Sequence, residues 1–206
     1  MVCSLGPRPE AHPSVREEDR AFQPGVHPSG RERNDRAAHY PAPVAPALRI
    51  DRAVPADFPR IAELTVGVYE GEDLVSPGYV PQLADVAGRA DRAELLVARD
   101  ARGWIVGSVA LVLTGDFGEV TRSPDEAAFR MLAVDADARG RGVGEALVRT
   151  CLDHARAAGR AWMVLSTGER MTAAHRLYER LGFQRLPERD WTPRPGVDLR
   201  VYALEL

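Results

Sequence analysis

The segment LAVDADARGRGVGEALV, residues 132–148, decides the fold of this 206-residue chain. It joins an apolar run, an acidic turn, three glycines and the first residues of an amphipathic pattern. An apolar strand followed by a glycine-rich turn and a helix is typical of a β-α unit. Glycines at a helix N-terminus leave backbone N–H groups uncovered, and the helix dipole favours an anion there. The segment therefore predicts a strand, turn and helix that together bind a phosphate group.

Two better-known glycine-rich motifs do not fit this turn. A P-loop requires Gly-Lys-Ser/Thr, but the chain contains no lysine. A dinucleotide fingerprint requires a third glycine at the sixth position, which is Glu145 counted from Gly140 and Leu147 counted from Gly142. The remaining interpretation is an anion-binding turn that fits a pyrophosphate. The alternative is a glycine-rich connection without a ligand.

The composition is that of a soluble globular protein with a slightly acidic balance. Hydrophobic residues make up 45% and charged residues 28%, and the formal net charge is −3, which argues against a nucleic-acid partner. The two cysteines, Cys3 and Cys151, form no CxxC motif, so we expect a reducing compartment. No apolar run reaches the length of a membrane span, and MVCSLGPRPE lacks the apolar core of a signal peptide. The sequence predicts a cytoplasmic protein that is not bound to a membrane.

The chain divides near residue 46. Residues 1–46 hold eight of the sixteen prolines and six arginines against six acidic residues, without a lasting hydrophobic period. They are expected to form a disordered extension, either a start-site artefact or a functional tail. Residues 47–206 are predicted to form one folded domain.

The hydrophobic pattern beyond Leu48 predicts a mixed α/β sheet. ALRIDRA is a short strand, PADFPRIAELTVGVYEG a helix that Asp57 can cap, and GYVPQLADVAGRA a weaker helix. AELLVARD and GWIVGSVALVLTG form a hairpin about residues 100–103, and AAFRMLAV is the next strand. A helix to Ala158, the strand RAWMVLS, the helix TAAHRLYERLG and the strand VDLRVYALEL follow. We expect six or seven mostly antiparallel strands flanked by about four helices.

Two motifs resemble those of a known family. RGRGVG, residues 139–144, after the strand at 132–134, resembles the acetyl-CoA motif of the GCN5-related N-acetyltransferases (GNAT). AAHRLYERLGF, residues 173–183, is similar to the second signature of that family, with its Ala, its Leu-Tyr pair and its closing Gly-Phe. The resemblance covers residues 47–206 and implies a GNAT-like fold with acetyl-CoA as co-substrate and no metal.

The resemblance also implies an activity. A GNAT enzyme moves an acetyl or other acyl group from acetyl-CoA directly to a primary amine in a ternary complex. No serine- or cysteine-based triad is visible that would form an acyl-enzyme. The acceptor would be a small-molecule amine or an amine of a peptide or protein, and a homodimer would be compatible with the family. The alternative is a non-catalytic module that binds or senses acyl-CoA.

The family comparison assigns roles to particular residues. Main-chain N–H groups of the turn would bind the CoA pyrophosphate, and the strand before it would pair with the pantetheine arm like an added β-strand. Tyr178 would be the general acid that protonates the departing thiolate. The implied cofactor-binding residues are Leu132, Ala133, Val134, Arg139, Gly140, Arg141, Gly142, Val143 and Gly144.

Two positions depart from the family pattern. An Asn that often opens the second-signature helix is Met171 here, so Ser166 or Thr167 would have to supply its contact. The Glu that many members carry in the fourth strand is Ala128 here. Glu126, on the same face of the strand, is the first choice for a general base, unless the amine gives its proton to water. Other nearby acids are Glu72, Asp73, Glu119 and Asp125.

Several single residues carry weaker expectations. Trp162 is expected in the core of its strand, and Cys151 in the core of its helix. Trp191 precedes the last strand, where it either contacts the acceptor or simply packs. His154 and His175 have no second ligand at metal spacing. Three acids suggest a cationic acceptor or else a solvated surface, namely Glu70, Glu72 and Asp73.

Overall fold

The computed structural model describes residues 48–71, 77–115 and 120–206. The predicted extension over residues 1–46 lies outside this part, as do Glu72, Asp73 and Glu119. Within these ranges the chain forms eight strands and five α-helices. None of the helices described has the length and apolar character needed to cross a bilayer.

The strands and helices follow one another as the sequence pattern predicts. The strands are β1 (Arg49–Arg52), β2 (Glu94–Arg99), β3 (Ile105–Val112), β4 (Glu126–Val134), β5 (Trp162–Gly168), β6 (Gln184–Arg185), β7 (Trp191–Arg194) and β8 (Val197–Glu205). The helices are α1 (Phe58–Gly71), α2 (Val80–Ala84), α3 (Val86–Ala90), α4 (Val143–Ala157) and α5 (Thr172–Arg180). The additional elements are short: β6 and β7 have two and four residues, and Asp85 divides the predicted second helix in two.

All strands belong to one sheet with the order β1-β2-β3-β4-β5-β8-β6, and β7 pairs with β8. The β4–β5 pair is parallel, and the other pairs described are antiparallel. The prediction of a mixed, mostly antiparallel sheet is therefore confirmed. The parallel pair requires a crossover connection, and α4 supplies it.

Side-chain contacts at the turns fix the first half of the sheet. Asp100 accepts hydrogen bonds from the backbone N–H groups of Arg102 and Trp104, both at 2.9 Å, and so closes the predicted β2–β3 hairpin. Asp57 accepts from the N–H of Val54 at 2.9 Å and from Arg99 of β2 at 2.8 Å. Burial opposes the charge of Asp57, but these hydrogen bonds outweigh it and lower its pKa. The start of α1 is thereby tied to the sheet.

Helices cover both faces of the sheet. On one face α4 and α5 pack against the strands and form a large hydrophobic core. The fully buried residues of this core include Leu96, Leu111, Leu147, Cys151 and Met163. On the other face Ile61 and Leu64 of α1 and Val86 of α3 pack against β2. The prediction that Cys151 is a core residue is confirmed, and burial raises the pKa of its thiol.

Trp162 is not in the core, so this prediction was wrong. Its side chain is 42% exposed. It is the first residue of β5, and its strand neighbours are Glu126 and Glu205 at the same end of the sheet. An apolar run predicts a strand, but it does not indicate how far the helices that pack on the sheet extend over that strand.

Gly107 sets the distance between α4 and the sheet. A Cβ atom at this position would lie 2.8 Å from Cγ1 of Val143 and 3.0 Å from Cδ1 of Leu147. Close packing of helix on strand therefore requires a residue without a side chain in β3.

We expect Gly107→Ala to lower the free energy of unfolding by about 1–3 kcal/mol, because the added methyl group overpacks this contact. Gly67→Ala is the matched control, since nothing lies within 4 Å of its Cβ position in α1. The control should be neutral or should stabilise the protein by about 0.5–1 kcal/mol. Urea denaturation of both variants is the measurement, and equal effects would contradict the proposed contact.

Candidate functional site

The parallel strands β4 and β5 separate after three residue pairs. Glu126–Ala128 pair with Trp162–Val164, but both strands continue, to Val134 and Gly168, without further pairing to each other. An unpaired strand edge presents backbone N–H and C=O groups to a ligand. Over Leu132–Val134 the edge of β4 is therefore not paired to β5 or to another described strand on that side, at the position where the resemblance implied binding of the pantetheine arm.

The gap between Leu132–Val134 of β4 and the unpaired end of β5 is called the slot here. A β-bulge at Met131 shapes β4 beside it. Ser108 of β3 pairs with Ala133 and Ala110 with Arg130, so three steps along β4 oppose two along β3. Met131 has a φ of 52° and is the one non-glycine residue with positive φ in the part of the chain described. A side chain in this backbone region costs about 1–3 kcal/mol, and such strain is concentrated at functional sites.

Two neighbouring cavities occupy the space between β4 and β5. The smaller has a volume of about 30 Å³ and reaches Phe129, Leu132 and Tyr178. The larger has a volume of about 440 Å³ and extends to Tyr79, Trp191 and Arg194. Residues that line both are Tyr69, Arg130, Met131, Ser166, Thr167 and Met171.

Tyr178 lies at the inner end of the slot. It belongs to α5, is 4% exposed and packs against the rings of Phe129 and Phe183 at centroid distances of 5.7 and 5.8 Å. Burial raises its pKa well above the ordinary value, so the hydroxyl keeps its proton at neutral pH. The structure thus brings Tyr178 next to Leu132, as a general acid for a thioester in the slot would require.

The acidic turn after β4 is anchored to α1. Asp135 accepts a hydrogen bond from Nη2 of Arg60 at 2.7 Å and from the backbone N–H of Asp137 at 3.1 Å. Its own N–H donates to the carbonyl of Val106 in β3 at 2.9 Å. These contacts fix the point from which the glycine-rich loop begins.

The loop itself has the backbone geometry of an anion site. Gly140 and Gly142 have φ values of 72° and 78°, which side chains rarely adopt, and nothing lies within 4 Å of their Cβ positions. Gly142 is the N-cap of α4 and offers no side chain to the first turn. Among the described groups, none accepts a hydrogen bond from the N–H of Gly140, Arg141 or Gly142. The open N–H groups and the helix dipole point to an anion.

The other loop residues place positive charge and close packing around this turn. Arg139 and Arg141 are exposed on either side of Gly140, and Nε of Arg139 lies 3.5 Å from the carbonyl oxygen of Val134. Val143 is buried against the sheet. Gly144 lies close to Val134 and Leu177. A Cβ atom added to this glycine would lie 3.6 Å from Cγ2 of Val134 and 3.4 Å from Cδ2 of Leu177. The implied cofactor residues from Leu132 to Gly144 therefore lie along one strand end, the turn after it and the first residues of α4.

Glu126 lies at the paired end of β4 and lines neither cavity. Its carboxylate accepts two hydrogen bonds from Arg189, at 2.8 and 3.0 Å, and one from the backbone N–H of Arg122 at 2.8 Å. Burial opposes its charge, but these bonds outweigh burial and lower its pKa. A carboxylate that is paired in this way and has a lowered pKa is a weak base, so the contacts favour a structural role.

The remaining predicted residues fall into two groups. Met171 and Ser166 line both cavities, and Sδ of Met171 lies 3.4 Å from Oγ1 of Thr167. Glu70 and Asp125 are exposed and line neither cavity. Trp191 lines the larger cavity and also packs against the hydrophobic cluster that includes Val164 and Val201, so its contact with an acceptor stays a prediction.

The two histidines have structural contacts. His175 is buried, its Nε2 lies 3.0 Å from the carbonyl oxygen of Gly168, and burial lowers its pKa. Nδ1 of His154 lies 3.0 Å from Glu94. The described ranges contain no group of three or more His, Cys, Asp or Glu residues that could hold a metal ion.

The sequence did not indicate most residues of the cavity lining, among them Tyr69, Tyr79, Arg130 and Arg194. Tyr69 lies in the last turn of α1, and Arg194 ends a strand of four residues, so no local motif marks them. Only the fold brings these distant segments together.

The comparison with family models identifies one domain. Residues 91–185 match the model described as an Acetyltransferase (GNAT) domain. The match runs from β2 to β6 and contains the slot, the glycine-rich loop and Tyr178.

Similar proteins are named as a synthetase and as acetyltransferases of the GNAT family. N-acetylaspartate synthetase of Danio rerio is 34% identical over 96 residues, which cover 47% of this chain and 32% of that protein. A GNAT-family acetyltransferase from Staphylococcus aureus Mu50 superposes with a TM-score of 0.63 at 17% identity, over 78% of this chain and 99% of that one. A GNAT-family acetyltransferase from Brucella melitensis, solved with acetyl-CoA, has a TM-score of 0.55 at 20% identity, over 78% and 88%.

The solved structures share the fold of this chain, and the relative shares its sequence over about a third of its own length. The family model covers the segment in which every predicted cofactor contact lies. Residues 91–185 therefore match a GNAT acetyltransferase domain, and the chain has the fold of the solved GNAT-family structures.

Proposed function

We propose that this protein is an N-acetyltransferase that transfers an acetyl group from acetyl-CoA to a primary amine. The observation that carries the proposal is the free edge of β4 over Leu132–Val134, which lies between the loop at 139–144 and Tyr178. A site for an anion, a strand edge and a proton donor stand in the order in which CoA presents pyrophosphate, pantetheine and thioester. The similarity to proteins named N-acetylaspartate synthetase and, in Nocardiopsis dassonvillei, mycothiol acetyltransferase supports it.

Acetyl-CoA is the substrate that this order of groups fits. Its pyrophosphate would accept hydrogen bonds from the open N–H groups of the loop, with Arg139 and Arg141 adding charge. Its pantetheine arm would pair with the backbone of Leu132–Val134 as an added strand. Open space at the Cβ positions of Gly140 and Gly142 gives the phosphates access to the backbone.

The reaction would proceed by direct attack. The nitrogen of the neutral amine forms a bond to the thioester carbonyl carbon, the C–S bond breaks, and the sulfur keeps the electron pair. A backbone N–H of the β4 edge near Leu132 would stabilise the negative charge on the carbonyl oxygen. Holding both substrates in adjoining cavities supplies the orientation that a bimolecular reaction lacks in water.

Tyr178 would give its proton to the departing thiolate. The ordinary pKa of tyrosine lies near that of a thiol, about 10 against about 8.5. Burial raises the pKa of Tyr178, and the same buried surroundings destabilise a thiolate. The transfer would move the negative charge from the sulfur to the oxygen of Tyr178, and the proton that the amine loses to water would then restore the neutral tyrosine.

We do not assign the general base to Glu126. The amine proton would instead pass to water in the larger cavity, which at about 440 Å³ has room for solvent beside an acceptor. Cytoplasmic location, the homodimer and the division into a disordered extension over residues 1–46 and a transferase domain over 47–206 stay predictions.

The first experiment measures thiol release from acetyl-CoA with a panel of amines, for the wild type and Tyr178→Phe. We expect the substitution to lower kcat by about 10²-fold or more, since it removes the proton donor, with the Kd for acetyl-CoA unchanged. Tyr202→Phe is the matched control, because this buried tyrosine lies 6.0 Å from the Tyr178 ring and lines neither cavity.

Two other results would count against the proposal. Tight acetyl-CoA binding without turnover of any amine would favour the sensing module. Equal kcat values in the wild type and in Tyr178→Phe would remove Tyr178 as the acid.

If the loop at 139–144 binds the CoA pyrophosphate, Gly142→Ala should weaken acetyl-CoA binding more than a comparable glycine substitution outside the loop. The φ of 78° disfavours a side chain, so we expect a loss of stability of about 1 kcal/mol and a rise in the Kd for acetyl-CoA of about threefold to tenfold. Gly159→Ala, at a φ of 70° just after the other end of α4, should cost similar stability and leave the Kd unchanged. Isothermal titration calorimetry decides, and parallel changes in both variants would contradict the assignment.

The contacts of Glu126 predict a pH-dependent contribution to stability. Its pKa is lowered from 4.5 in the folded protein, so its stabilising effect is complete above pH 4.5 and is lost as the pH falls through the folded-state pKa. Glu126→Gln should lower the free energy of unfolding at pH 7 by about 1–3 kcal/mol. Its difference from the wild type should shrink below pH 4.5.

Denaturation across this pH range tests the structural role, with kcat as a second measurement. We expect kcat to be retained in the folded variant. A stable Glu126→Gln protein that loses turnover together with the basic limb of its pH profile would restore Glu126 as the base.

A further inference from the structure

We propose that the acceptor amine carries a carboxylate, and that Arg194 binds this carboxylate. This inference names the substrate class of the proposed function and rests on it. It concerns the larger cavity, which continues from the slot past Met131 and Met171 to β7. An amine that attacks a thioester in the slot has to occupy this cavity.

Arg194 is held in place without an acidic partner. Its guanidinium lies 5.5 Å from the centre of the Tyr79 ring, where a cation–π contact holds it at the cavity wall. No carboxylate of the described residues lies within ion-pair distance of it. Other arginines of this region are paired, namely Arg185 with Asp190, Arg189 with Glu126 and Arg200 with Glu169.

A second guanidinium stands behind the cavity wall. Arg89 of α3 is 2% exposed and donates to the carbonyl of Leu83 and to Sδ of Met131, while its Nε has no acceptor in the described part. Met131 separates it from the larger cavity, because this residue lines both that cavity and the small void beside Arg89. Arg89 forms no ion pair with the described residues, although the nearby charge of Asp85 acts on its pKa. Burying a cation is costly, and an anion in the cavity would offset part of that cost.

The charge of the lining agrees with an anionic group. Of the described residues that line the larger cavity, the charged ones are Arg130 and Arg194, and none is acidic. This differs from the cationic acceptor suggested by the sequence. Glu70 is exposed and does not line the cavity, and the other two acids of that suggestion lie outside the described residues.

The geometry selects a small molecule with both groups. A cavity of about 440 Å³ suits a ligand of amino-acid size. A guanidinium binds a carboxylate through two parallel N–H···O bonds, which leaves the amine at the other end free to face the slot. The acceptor class is therefore a free amino acid or a related small amino-carboxylate.

Matched acceptors test this inference. We would compare each of alanine, phenylalanine and glutamate with its α-carboxamide and with the amine that lacks the α-carboxyl group, by thiol release from acetyl-CoA. The wild type should show a kcat/KM about tenfold higher for the best carboxylate than for its carboxamide, the size of one charge-assisted hydrogen bond.

Arg194 variants locate the effect. Arg194→Met should raise KM for the carboxylate about tenfold and leave that for the carboxamide within about twofold, whereas Arg194→Lys should recover part of the loss. Arg156→Met, an exposed arginine of α4 paired with Asp153, is the matched control and should behave as the wild type.

A binding measurement makes the result independent of turnover. With CoA present, calorimetry should show tighter binding of the N-acetyl amino acid than of its amide, and Arg194→Met should abolish the difference. A preference for the amides or for the amines without a carboxyl group overturns the inference but leaves the transferase intact. Product binding with this preference, but without turnover of any amine, supports the inference while refuting the proposed transferase activity.

Discussion

The separation of β4 from β5 after Ala128 is the constraint on which the functional site depends. Up to that residue the two strands share backbone hydrogen bonds, and beyond it their polar edges have to find other partners. The bulge at Met131 lies just after this point and keeps β4 paired to β3 while its other edge is free. Both cavities lie where the two strands have parted. A fully paired sheet with the same sequence of elements would have no room for either substrate.

The position of α4, the helix that follows the glycine-rich loop, is fixed by its contacts with the sheet and by a contact between α1 and the turn before the loop. Gly107 lets Val143 and Leu147 approach β3 closely, and Arg60 fixes the acidic turn that leads into the loop through Asp135. These contacts aim the N-terminus of α4, and with it the positive end of the helix dipole, at the free edge of β4. The affinity for a phosphate and the position of a strand-like ligand would thus both depend on one packing interface.

Local patterns in the sequence were sufficient for most of the elements, because strands, turns and helix faces are local properties. The glycines of the loop at 139–144 predicted an anion site, the resemblance to the GNAT family implied the role of Tyr178, and both assignments stay predictions. The exposure of Trp162, the ion pair of Glu126 with Arg189 and the position of Arg194 do not follow. Each of these depends on a partner far along the chain, and Glu126 and Arg189 are 63 residues apart. A carboxylate on the correct strand face therefore looks like a base until its long-range partner is known.

The charge of the acceptor cavity also bears on the missing base. Ala128 is 2% exposed and stands where many GNAT members have a glutamate, so the chain offers no carboxylate at that position to remove the amine proton. The guanidinium groups of Arg89, Arg130 and Arg194 disfavour an additional positive charge near them, which lowers the pKa of a bound ammonium group. A carboxylate on the acceptor would be attracted by the same groups that favour the neutral amine. Recognition of the acceptor and activation of its nitrogen would then come from one set of arginines, and proton loss to water would suffice.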